Sequence, residues 1–162
     1  MTKYWYVPAI TFFMAIIFSG CMKPTLEEEV TKYLNKDTLW INSSAIALSD
    51  QFESTMILLA TKPKEALDLL KTKQIPQSES YLKKLQSLSL HNDKLKDAHL
   101  QIIHCAKYTD LGYKFVVKSL ETNKELYHKQ AQETFDKADQ SQRIWKQRLL
   151  DLGQKLKVEI KN

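Results

Sequence analysis

The sequence predicts an all-α protein, an antiparallel up-down-up-down bundle of about four helices. Three observations predict it. Apolar residues recur every three to four positions over long stretches, the period of an amphipathic helix. After residue 20 the only glycines are Gly112 and Gly153 and the only prolines Pro24, Pro63 and Pro76. No Asn-Gly or Asp-Gly hairpin signal occurs, and no alternating β-branched run is bounded by turn residues.

The first helix is expected to start at Thr25, which caps it. Glu28 stands three residues later as in a capping box, and Glu27 and Glu29 add negative charge at the positive end of the helix dipole. Its apolar stripe is Val30, Leu34, Ile41, Ala45, Leu48, Phe52, Thr55 and Leu59. Asp37 falls in the slot between Leu34 and Ile41, which predicts frayed packing, a kink or a break around 35–38. The helix is expected to stop before Pro63, whose ring disfavours a helical Lys62. The second helix, about 63–88, carries Leu67, Leu70, Tyr81, Leu85 and Leu88 on its apolar face. Pro63 fits its first turn. Pro76 lies in the middle, removes one backbone bond, and predicts a helix kinked or split there.

The third helix begins near Asn92 and repeats Leu95, Ala98, Ile102, Cys105, Thr109, Gly112, Val116 and Ser119 in a heptad seam. One row of that seam is small throughout: Ala98, Cys105, Gly112 and Ser119. A small row lets another helix approach closely, which would compensate the roughly 1 kcal/mol that Gly112 costs in a helix interior. The fourth helix is expected to take Asn123 as its cap. Its face is Tyr127, Ala131, Thr134, Phe135, Ala138, Ser141, Trp145, Leu149, Leu152 and Leu156. Gly153 would mark fraying, and Val158-Glu159-Ile160 a short docked tail.

The N-terminus reads as an address. Lys3 precedes an apolar run from Tyr4 to Phe18, which is shorter than the roughly 20 residues a permanent span needs. The run closes on Ile17-Phe18-Ser19-Gly20-Cys21, a lipobox. Residues 1–20 are therefore expected to be a lipoprotein signal peptide, cleaved between Gly20 and Cys21. Diacylglycerol on the Cys21 thiol would follow, with 21–24 as a short tether and 25–162 as a single bundle domain. The competing reading is an uncleaved anchor. Two acyl chains hold a protein on a membrane where one does not, so the expected location is the extracytoplasmic face of the cell membrane. The chain has two cysteines. With Cys21 acylated, Cys105 has no disulfide partner and is expected to behave as a small hydrophobe.

The lipobox, the Glu-rich start, Leu90-His91 after the second helix, and a tail of Leu152, Gly153, Val158, Glu159 and Ile160 resemble small helical lipoproteins of unknown function from low-GC Gram-positive bacteria. The resemblance covers most of 19–162 and implies architecture and address, not chemistry. The chain departs from that pattern at Asp37-Thr38-Leu39-Trp40.

Motifs for catalysis are scarce. Glu125 and His128 have the Glu-x-x-His spacing of di-iron bundles, but such sites need two of these motifs and two further glutamates. His104 and Cys105 are adjacent, so a helix points them apart. His91 is expected in the turn before the third helix and His99 half-buried beside the seam. No phosphate loop, nucleophile elbow or Cys-x-x-Cys occurs. The reading is a protein without enzymatic activity, metal or cofactor.

Charge adds orientation. The formal net charge is +5. In an up-down-up-down bundle the second turn and the C-terminus return to the end that bears Cys21. Lys94, Lys96, Lys155 and Lys157 are therefore expected to face lipid, where anionic head groups attract each at about 1 kcal/mol. Ordinary solvated helix faces are the competing reading. An exported protein is not expected to meet nucleic acid. The function expected is a lipid-anchored, non-enzymatic interaction or envelope-associated module, with lipid, anionic head groups or wall polymer as partners. The alternative is a bundle that binds a small ligand or a metal at the membrane surface.

Overall fold

The computed structural model describes residues 24–158. The expected signal peptide 1–20, the expected lipidation site Cys21 and the Glu159-Ile160 part of the expected tail lie outside the described residues. Every regular element described is helical, and the elements form four rods in antiparallel sequence. We name them α1 (26–59), α2 (63–86), α3 (Asp93–Thr122) and α4 (Glu125–Leu156). The connections are short, at 60–62, 87–92 and 123–124. Cross-rod contacts fix the directions: Tyr81 and Gln74 of α2 bond the Ile41 and Leu48 carbonyls of α1, and Arg148 of α4 pairs with Asp97 of α3 at 2.7 Å.

Thr25 caps α1 as its sequence requires. Its hydroxyl accepts from the Glu28 amide, and the Glu28 carboxylate accepts from the Thr25 amide at 2.8 Å. The disturbance expected around Asp37 is a wide turn and not a break. Leu26–Lys32 runs into a π-helical segment, Tyr33–Asp37, and then into Thr38–Leu59. The Thr38 amide bonds five residues back to Tyr33, while its hydroxyl donates to the bypassed Leu34 carbonyl at 2.6 Å. One surplus residue is absorbed, and Tyr33, Leu34 and Asp37 are all buried.

The same device resolves Pro76. In α2, Pro63–Leu69 is followed by a π-helical segment, Leu70–Gln74, and by Ile75–Gln86. The wide turn opens the ladder where Pro76 offers no N–H and its ring needs room beside the preceding turn. The second rod is thus split into pieces without losing its course.

Two sequence readings need correction. Asn123 does not cap α4; it ends α3 in the left-handed conformation at φ 51°, with its amide bonded to Ser119 O. Asparagine tolerates that conformation better than most residues. Gly153 does not mark fraying. It is buried, and α4 continues to Leu156 before Lys157 closes the end at φ 53°.

The main core joins Val30, Tyr33, Leu34 and Ile41 to Leu85, Leu95, Ala98, Ile102, Ala106, Trp145, Leu149 and Leu152. A second cluster stacks Phe52, Tyr113 and Phe135, with ring centroids 4.7–5.8 Å apart. The small row of α3 does bring α4 close. A Cβ added at Gly112 would lie 2.4 Å from Phe135 Cε1. The inward face drifts along α3 from Ala98 and Ile102 to Ala106, Tyr113 and Val117, because a straight helix slips about 20° per heptad against a 3.5-residue repeat.

Candidate functional site

Around Tyr33 the interior is polar, and there the polar groups bond one another. Trp145 of α4 donates from Nε1 to Tyr33 Oη of α1 at 3.2 Å. Tyr33 Oη lies 2.7 Å from His99 Nδ1 on α3, and His99 Nε2 lies 2.9 Å from the Leu85 carbonyl of α2. The carbonyl can only accept, so His99 carries its proton on Nε2 and Tyr33 donates to Nδ1. One chain of bonds therefore takes a member from each rod. Burial lowers the His99 pKa below the ordinary histidine value, against the opposing pull of the Leu85 carbonyl and Asp37. Burial likewise raises Tyr33 far above the usual phenol range. Both groups stay neutral at neutral pH.

Glu29 does more than complement its own dipole. Its carboxylate is buried and accepts the amides of His91 at 2.6 Å and Asn92 at 2.8 Å, so it closes the entry to α3 from α1. Burial pushes its pKa up, but the two amide bonds and the His91 ring outweigh that and hold it below the usual value. His91 thus sits in the turn before α3, as the sequence suggested, while His99 is buried outright.

Cys105 is half-buried, and burial pushes its thiol up to about 11. A protonated thiol is a poor nucleophile. Glu125 and His128 are exposed near the start of α4. Among the described residues no group of three or more His, Cys, Asp and Glu side chains converges as a metal site would require. None of the described helices is long and apolar enough to cross a membrane.

The surface feature that stands out is the seam between the first and last rods. α3 and α4 form the most extensive interface and α1 and α4 the thinnest of the neighbouring pairs. Three hollows run down this seam in line. The first, about 560 Å³, lies between Leu34, Thr38 and Asn42 of α1 and the stretch of α4 from Trp145 to Val158. The next, about 320 Å³, reaches inward from Ala45 and Phe52 to Cys105, Thr109 and Asp139. The third, about 370 Å³, lies between Met56 and Leu59 and the His128–Phe135 part of α4. On the solvent face of α1 stand Leu39, Ile46 and Ile57, each at least 60% exposed, and Leu150 of α4, at 50%, lines the first hollow. Large aliphatic side chains this exposed, in a row along one helix face, mark a binding surface more often than chance exposure.

The four lysines singled out in the sequence do gather at one end. Lys94 and Lys96 open α3, beside the Glu29 contact with α1, and Lys155 and Lys157 close α4, beside the Leu34 contact with Gly153. Lys96 pairs with Asp93 at 2.9 Å, which offsets part of that charge. The seam, the Tyr33–His99 chain and the capping role of Glu29 were not read from the sequence. The heptad pattern locates inward faces but not which pair of rods stays apart. Comparison of the chain with family models, curated proteins and solved structures finds no match.

Proposed function

We propose that the protein is a lipid-anchored helical bundle at the extracytoplasmic face of the cell membrane, acting without catalysis as a binding module. Its binding element is the α1–α4 seam. One observation carries the reading: the bundle is tightly packed between α3 and α4, yet leaves hollows between α1 and α4, and α1 carries a row of exposed aliphatic side chains on its outward face. The interior supports it, since Cys105 is held as a protonated thiol and His99 and Tyr33 are buried with their polar atoms bonded to each other, to Leu85 and to Trp145. The lipobox supplies the address, and the lysine-rich end supplies an orientation toward anionic lipid.

A photoreactive residue placed at Ile46 in producing cells tests this reading. A discrete adduct is expected there and none from Lys107 on the exposed outer face of α3. The Ile46 adduct should disappear when Leu39 and Ile57 are replaced by Gln. Equal labelling from both positions, or none, contradicts the reading. A second reading, a bundle that takes a small ligand, is favoured by the volume of the first hollow, which lies within the range of small-molecule sites.

A further inference from the structure

The first hollow of the seam has a chemistry of its own. Its floor includes Leu34, Trp145, Leu149 and Gly153. Gly153 raises no side chain there, and an added Cβ would already stand 3.3 Å from Leu34 Cδ1. Lys146 and Lys157 belong to the same wall. Lys146 lies within α4 and Lys157 just past its end, about three turns further on, so they frame the groove lengthwise. Both are exposed, and among the described residues no carboxylate lines the hollow. From Trp145 to Lys157 the groove runs about 18 Å at about 1.5 Å per residue. One leaflet of a bilayer holds about 15 Å of acyl chain.

We propose that this groove binds a long-chain fatty-acid anion, its single chain along the apolar floor and its carboxylate paired with the lysine at one end of it, Lys146 or Lys157. Charge complementarity selects the anion, because the described lining carries Lys146 and Lys157 and is otherwise apolar or uncharged. The floor selects a chain over a peptide. A peptide would bring a row of amides to a surface that is mostly hydrocarbon, and each unpaired amide would cost free energy. The groove also lies where α1 begins and α4 ends, which is the end the tether would hold against lipid. The proposal rests on the seam as the binding element and names what its first hollow takes.

The test uses the full chain in phosphatidylcholine vesicles at about pH 8.5, well above the carboxylate range. Palmitate bearing a mid-chain diazirine is photolysed in one arm and the matching diazirine alcohol in the other, and adducts are mapped by mass spectrometry. Palmitate adducts are expected on Leu34 and on 145–157. The alcohol is expected to label these positions several-fold less. The paired substitution Lys146→Gln and Lys157→Gln should lower palmitate labelling about three- to tenfold and leave alcohol labelling unchanged. Adducts scattered over exposed apolar residues, equal labelling by the alcohol, or no response to the paired substitution would each overturn the proposal. If the proposal alone fails, the Ile46 adduct in cells persists; if the seam reading fails, that adduct is absent as well.

Discussion

Removing one oxygen should test whether the four rods are held by the chain through Tyr33. Tyr33→Phe keeps the ring and its packing but deletes the hydroxyl. Two buried groups then lose their partner. The Trp145 Nε1–H has no acceptor in place of Tyr33 Oη, and His99 Nδ1 has no donor. Tyr33 is fully buried, and Trp145 and His99 are 2% and 4% exposed, so water does not reach either group without opening the core. Each orphaned group costs about 1–3 kcal/mol, so the expected loss is about 2–5 kcal/mol. That is a large share of the roughly 5–15 kcal/mol that holds a typical domain, and it corresponds to a fall in Tm of roughly 10 °C. Urea unfolding followed by far-UV circular dichroism measures it directly. A double-mutant cycle with His99→Leu should return a coupling of about 0.5–3 kcal/mol. A loss below about 0.5 kcal/mol, or no coupling, would show that the chain of bonds contributes nothing and would refute the reasoning.

The other predictions concern pH, close packing and charge. His99 has a folded pKa below its unfolded value, so the unfolded chain takes up the proton first. The stability of the wild-type protein should hold above about pH 6.5 and fall as the pH drops below it; in His99→Gln this component should vanish, and an unchanged acid limb in that variant would refute the assignment. Gly112→Ala gains about 1 kcal/mol of helix propensity but drives a methyl into Phe135, a clash worth about 1–3 kcal/mol. Net destabilisation of up to about 2 kcal/mol is expected, partly recovered by Phe135→Leu, and a stabilised Gly112→Ala would contradict the close approach. Replacing Lys94, Lys96, Lys155 and Lys157 by Gln should weaken adsorption to anionic vesicles, with the smallest share from Lys96 because Asp93 offsets it. Unchanged adsorption would remove the lipid-facing role of that end.

Local signals were legible and long-range ones were not. The Thr25–Glu28 box, the start of α3 near Asn92 and the stop before Pro63 are written in four or five adjacent residues, and the structure forms each of them. The heptads of α3 also announced the close approach at Gly112. Asp37 and Pro76 announced trouble without its form, because a polar residue in an apolar slot and a missing amide can both be absorbed by a π-helical turn. Asn123 misled because asparagine suits an N-cap and a left-handed C-terminal residue equally, and the choice depends on where the preceding helix ends. The candidate seam was out of reach for another reason. Periodicity says which face of a rod turns inward, but the spacing between rods depends on how side chains from all four interlock. Glu29 shows the same limit: its carboxylate works on amides more than sixty residues away.

The tether on Cys21 is the claim on which orientation, location and the nearness of the groove to lipid all depend. Intact-mass spectrometry of the protein extracted from the membranes of its producing cells tests it most directly. The account predicts a chain that begins at Cys21 and carries the mass of a diacylglyceryl group on that residue. A chain that retains residues 1–20, or that begins at Cys21 without acyl mass, would contradict it.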